Sequence, residues 1–150
     1  MVKVAILVAY MVVLLVIIAS FVSSNKPLEI ASPHNRVNDA QILLYHDKVV
    51  INVNGASLTK YADTNSMDPL LDEGAIGIEL VPERDDQLYI GDVVAYESKH
   101  ASGLIVHRII DIVEDKQGKY FILKGDNLQT EDPEKVRFSE IKYVLIGVIY

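Results

Sequence analysis

Gly103-Leu104-Ile105-Val106-His107-Arg108-Ile109-Ile110-Asp111-Ile112-Val113 is the longest β-prone run in the chain. β-Branched residues dominate it, and such side chains fit a pleated, packed surface better than a helix. Alternation puts His107 on one face with Ile105 and Ile109, and Arg108 on the other with Val106 and Ile110. The run therefore predicts a long strand with one imidazole set mid-strand among bulky apolar neighbours.

Working outward, shorter strands accumulate on both sides. Downstream, Gln117-Gly118 is a turn leading into a strand over 120–124, which Gly125-Asp126-Asn127 closes, and Asp132-Pro133 follows. Residues 143–150 are almost wholly apolar and read as a buried strand. Upstream, Gly91-Asp92 opens a strand over 93–96, behind an acidic loop at 82–87. A further strand covers 75–81, with Gly77 inside it marking a close approach by other chain or ligand. Residues 41–45 and 48–53 read as two strands around the turn His46-Asp47. Residues 57–64 are polar and weakly patterned, a connection rather than a strand. Many short strands with no long amphipathic helix among them predict a mostly β domain over 39–150.

The first 22 residues differ in kind. Residues 4–22 carry no charge, and a helix of that length reaches about 28 Å, close to the ~30 Å hydrocarbon core of a bilayer. A cleaved signal peptide is the competing reading, but its apolar region usually runs only ~7–15 residues. The expectation is a transmembrane anchor over 1–22 and a polar linker over 23–38, the latter carrying Pro27 and Pro33. Lys3 on one side faces Lys26 and Arg36 on the other, so charge alone leaves the orientation open.

From Ser23 onward the chain holds 13 basic and 21 acidic residues, a net charge of −8. That balance argues against a nucleic-acid partner, which attracts a basic footprint. Cysteine is absent, which excludes disulfides and a thiol nucleophile. No pair of histidines has the spacing of a zinc helix, and no Ca²⁺ loop, phosphate-binding loop or dinucleotide fingerprint is present. Neither cofactor nor metal is expected.

One nucleophile candidate remains: Ser66 in the turn Thr64-Asn65-Ser66-Met67-Asp68-Pro69. Pro69 stiffens the backbone just beyond it and biases Asp68 towards an extended conformation. A serine needs a base. His34, His46 and His100 lie in polar connections, whereas His107 is the histidine within a strand. An imidazole on an apolar face is often only a hydrogen-bonded core residue. As a base it needs a carboxylate to hold its tautomer, and Asp126 and Asp132, both just beyond the neighbouring strand, are the two candidates. Lys124 is the rival base, and it would have to be desolvated to act.

These residues together resemble the type I signal peptidase family. Ser66-Met67-Asp68-Pro69, Gly91-Asp92-Val93-Val94, His107-Arg108-Ile109-Ile110 and Lys124-Gly125-Asp126-Asn127 with Asp132 stand in the order of that family's boxes, behind an amino-terminal apolar segment. Histidine in the third block is similar to the archaeal and endoplasmic-reticulum branch, where the bacterial branch has lysine. The resemblance implies a signal-peptidase-like β-rich catalytic domain and a membrane-bound serine endopeptidase. It implies secretory preproteins as substrates, cleaved on the extracytosolic side of the bilayer, and leaves partner subunits open. It assigns Ser66 as nucleophile, His107 as general base, Asp126 and Asp132 as candidate supports for His107, and Thr64 as oxyanion support beside the Ser66 N–H. Asn65 stands where the family often has Gly, and residues 28–63 match none of its blocks. The alternative is a non-catalytic, membrane-tethered β-domain.

Overall fold

Strands separated widely in sequence pair side by side, and that pairing brings the serine turn against the histidine strand. The computed structural model describes residues 2–24 and 29–150. An α-helix, α1, covers Val2–Ser24. Strands β1 (Ile42–Leu44) and β2 (Val49–Ile51) form a two-stranded ribbon of their own. A six-stranded sheet follows, built from β3 (Ser57–Lys60), β4 (Ile76–Leu80), β5 (Val93–Glu97), β6 (Leu104–Asp115), β7 (Gly118–Lys124) and β8 (Ile141–Ile149). Its strand order is β3-β4-β8-β5-β6-β7, with every neighbouring pair antiparallel. The protein is mostly β, as its alternating aliphatic residues predict.

One strand was not expected. Residues 57–60, read as polar connection, form β3 at the edge of the sheet beside β4. An edge strand packs on one side only, and Leu58 points its side chain to solvent at 70% exposure. Its weak periodicity follows from that position.

The core divides across the sheet. Val94, Tyr96, Ile109, Phe121, Leu123 and Val144 pack in one cluster. Met67, Leu71, Val93 and Leu145 pack in the other, with Tyr61 and Val106 against them. β6 pairs His107 with Val94 and Arg108 with Val93, so the alternation read from the sequence holds at both residues. Met67, next to Ser66, is a core residue, and this roots the serine turn in the second cluster.

The transmembrane helix expected over 4–22 needs correction. Among the described residues, no helix is long and apolar enough to cross a membrane. What the structure provides is α1, with its described apolar side chains exposed.

The segment expected as a linker lies in part against the β-domain. Residues 25–28 fall outside the described residues. Further along, the Ser32 carbonyl lies so close to Gly91 (φ +99°) that a Cβ there would sit 2.2 Å from its oxygen. The His34 N–H donates to Asp92 Oδ1 at 2.8 Å, and the Arg36 guanidinium donates to Asp92 Oδ2. Asp92 is fully buried, so a charged clamp fastens the chain entering the domain to the turn before β5.

Candidate active site

Ser66 sits in a turn whose shape depends on the residue before it. Asn65 has φ +56°, in the left-handed region. Asparagine is one of the few residues with a side chain that visits this region readily, so it can stand where glycine would otherwise be needed. Beyond the serine, the Leu70 and Leu71 N–H groups both donate to the Met67 carbonyl, at 2.9 and 3.0 Å. The loop after β7 closes over the turn. The Asn127 N–H donates to the Ser66 carbonyl at 3.0 Å, and the Asn127 side-chain amide donates to the Asn65 carbonyl at 2.9 Å. Both ends of the serine's backbone are therefore held by groups from a distant part of the chain.

His107 is buried at 6% exposure, and its ring is held from one side. Nδ1 lies 2.8 Å from Asp132 Oδ2 and 2.9 Å from Oδ1. This contact selects the tautomer with Nδ1–H donating to the carboxylate, leaving Nε2 as the acceptor. Asp132 is braced in turn: the Tyr96 hydroxyl donates to its Oδ2 at 2.8 Å, and its own N–H donates to the Leu123 carbonyl at 2.8 Å. Burial pushes the Tyr96 hydroxyl well above the usual tyrosine range, and the bond to Asp132 pushes the same way. Tyr96 thus stays protonated and remains a donor.

Nε2 faces the serine turn across Gly125. A Cβ on Gly125 would lie 2.5 Å from the Ser66 carbonyl oxygen and 3.0 Å from His107 Nε2. The glycine is what lets the two approach. Thr64, Ser66 and His107 line a single cavity of about 550 Å³, in whose wall Met67, Ala95 and Val106 also stand. The Ser66 hydroxyl lies 3.1 Å from the Thr64 hydroxyl, its hydrogen-bond partner among the described residues.

Asp126, the other candidate, is engaged elsewhere. Arg108 Nε and Nη2 donate to its two carboxylate oxygens at 2.7 and 2.6 Å. Arg108 Nη1 also donates to the Gly91 carbonyl at 2.7 Å and to the Ala31 carbonyl at 3.2 Å. The pair lies on the face of β6 opposite His107. It ties three segments together: the entry to the domain, the turn before β5 and the loop that holds Ser66. Lys124 is on that side as well. Its Nζ donates to the Leu128 carbonyl at 3.1 Å, and it lines a different cavity, of about 260 Å³, with Arg108 and Asp126.

The structure brings Thr64, Ser66, His107 and Asp132 together and sets Asp126 and Lys124 apart. Four residues at the site had no role assigned from the sequence: Tyr96, Arg108, Gly125 and Asn127. Tyr96 carried a usable signal, because a tyrosine ending a buried strand must find a partner for its hydroxyl. Among the described residues no group of three or more His, Asp or Glu side chains could hold a metal ion.

The sequence has counterparts among known proteins. The chain is 33% identical over 90 residues to the signal peptidase complex catalytic subunit SEC11 of Clavispora lusitaniae, covering 57% of this chain and 53% of that protein. With the SEC11 catalytic subunit of Debaryomyces hansenii the identity is 34% over 91 residues, with the same coverage of 57% and 53%. The chain is related to the signal peptidase I family. It spans about half the length of the SEC11 subunits it matches. A shorter match, 48% over 44 residues, links it to an uncharacterized protein of Methanocaldococcus jannaschii, across 29% of this chain and 22% of that one. No family model and no solved structure matches.

Proposed function

We propose that the protein is a membrane-anchored serine endopeptidase that removes signal peptides from secretory preproteins. The observation that carries the reading is the Asp132–His107 contact at Nδ1, made by a histidine that lines the same cavity as Ser66. In this mechanism the substrate's arrival turns the Ser66 hydroxyl from Thr64 towards Nε2. Ser66 Oγ attacks the scissile carbonyl while its proton passes to Nε2, and Asp132 stabilises the imidazolium. The Ser66 N–H and the Thr64 hydroxyl serve the oxyanion, where one preorganised donor is typically worth ~10²–10³ in rate. The imidazolium then gives its proton to the leaving amine, and water releases the acyl group by the same relay. Asp126 supports the site at one remove, through Arg108 and the 125–127 loop.

The assignment of substrate and location draws on the relatives' names and on the first 22 residues. Nothing among the described residues covers the exposed aliphatic side chains of α1, and a lipid environment would satisfy them. In this reading residues 1–22 anchor the chain, 23–38 connect it, and 39–150 form the peptidase domain on the extracytosolic side. Partner subunits belong to the same proposal, since the relatives are subunits of a complex.

The test is cleavage of a preprotein by the full chain in detergent, prepared from a host lacking its own peptidase. Ser66→Ala and His107→Ala each abolish cleavage if the reading holds. Lys124→Ala leaves most of it. Undiminished cleavage by Ser66→Ala overturns the proposal, as does a loss in Lys124→Ala equal to that in Ser66→Ala. A folded protein with no activity in any form returns the reading to a tethered, non-catalytic β-domain.

A further inference from the structure

Glu79 is 4% exposed, yet it stands in the wall of the cavity that holds Ser66 and His107. A carboxylate costs a great deal to bury unless it is bonded. Here one oxygen is served: the Tyr61 hydroxyl donates to Glu79 Oε1 at 3.0 Å. Tyr61 reaches Glu79 by lying across Gly77, where a Cβ would fall 1.9 Å from the tyrosine oxygen. Gly77 on β4 and Tyr61 just beyond β3 thus combine to hold the Glu79 carboxyl group. A leucine at position 79 would fill an apolar wall without any of this.

The second oxygen is the informative one. Oε2 has no hydrogen-bond partner among the described residues, and it is not among the sealed, unpartnered polar atoms, which are Arg36 Nε and Asp68 Oδ1. It is therefore not sealed off, and in a residue that lines the cavity its acceptor capacity is unused. Burial pushes the Glu79 carboxyl above its ordinary value, with the Tyr61 bond acting in the opposite direction. Burial first, and then Glu79, push the Tyr61 hydroxyl above the tyrosine range, so it stays a donor.

We infer that Glu79 is a specificity-determining residue whose open oxygen accepts a hydrogen bond from a donor-bearing substrate side chain. The subsite takes a peptide with a hydroxyl or ammonium group at the facing position in preference to its apolar isostere. An apolar side chain pressed against Oε2 would strip its water and return nothing, which is how a site built to bond rejects an analogue that cannot. This rests on the peptidase reading above and names the substrate class for that same cavity.

Binding is measured apart from turnover. The full-length Ser66→Ala protein in detergent is titrated with fluorescent peptides identical except for Thr or Val, and Lys or Met, at each successive position around the cleavage point. At one position the donor peptide binds roughly tenfold or more tightly than its partner, the scale of a hydrogen bond to a buried charged group. The Thr/Val and Lys/Met arms distinguish a neutral donor from a cation. Adding Glu79→Met collapses the ratio towards one. Where Glu79→Met does not fold, Glu79→Gln keeps a neutral acceptor and lowers the Lys-over-Met ratio. Ratios near one at every position, a ratio that survives in Glu79→Met, or a Lys-over-Met ratio unchanged in Glu79→Gln overturn the inference. Failure of the wild type to cleave the bound peptides sinks the peptidase reading instead, and the binding ratios still decide the subsite.

Discussion

Arg108 grips Asp126 through both carboxylate oxygens, at 2.7 and 2.6 Å, so the aspartate beside Gly125 is committed to the opposite face from His107. The two aspartates that look equivalent along the chain therefore fail in different ways. Asp132→Asn leaves His107 Nδ1 facing an amide, favours the wrong tautomer and lowers kcat roughly 10³–10⁴-fold, with a smaller loss of stability because the amide oxygen still accepts from the Tyr96 hydroxyl. Asp126→Asn strands a buried guanidinium, and losing one partner of such a pair costs about 3 kcal/mol of stability. Thermal unfolding alongside kcat separates them. Equal loss of stability in both variants would contradict the division.

Tyr96→Phe isolates the brace behind Asp132. The substitution keeps the ring, which is 1% exposed, and removes only the hydroxyl that donates to Oδ2 at 2.8 Å. A hydrogen bond to a charged group is worth about 1.5–3 kcal/mol, and stability falls by an amount in that range. Tyr96 acts through Asp132 and touches no substrate, so kcat falls while KM holds. A change confined to KM would assign it a different role.

Gly125→Ala tests the closeness of the serine turn and the imidazole. The added Cβ would meet the Ser66 carbonyl oxygen at 2.5 Å and His107 Nε2 at 3.0 Å, so one of the two must move. Displacements of about 1 Å at reacting groups cost on the order of 10² in rate. The variant is expected to fold, to lose activity on that scale, and to retain the Asp132–His107 contact in a structure. Wild-type activity would show that the turn and the ring do not work together.

How far the sequence carried this account depends on what each residue's role rests upon. The opposite placement of His107 and Arg108 was legible, because strand alternation is local and aliphatic neighbours mark both faces. The serine turn was legible too, through its hydroxyls, Asn65 and Pro69. β3 was not, since an edge strand packed on one side leaves little period to read. Nor was the choice between Asp126 and Asp132. That choice is settled by Arg108 reaching across from β6, a pairing between residues 18 apart that no local pattern encodes. Gly125 read only as part of the close of a strand, while its structural requirement comes from two groups arriving from elsewhere in the fold.

The far end of the β6–β7 hairpin supplies a pH dependence with a definite sign. Asp115 is held at about 2, below its ordinary 3.8, first by the Gln117 backbone N–H and then by Arg137. A depressed carboxylate contributes stability that is present above its unfolded value and lost as pH falls through its folded one. The contribution from Asp115 is therefore present above about pH 4 and disappears towards pH 2. Arg137 makes its part of that contribution through Nη2, at 2.9 and 2.8 Å from the two oxygens, while its Nη1 donates to the Gly118 carbonyl at 2.7 Å. Only the first pair of bonds depends on the state of Asp115. Arg137→Gln should thus melt below the wild type at neutral pH, with the gap narrowing between pH 4 and pH 2 but not closing, because the backbone bond is lost at every pH. Melting curves of both proteins across that window decide it, and a constant gap would mean that Arg137 stabilises the hairpin without help from the Asp115 charge.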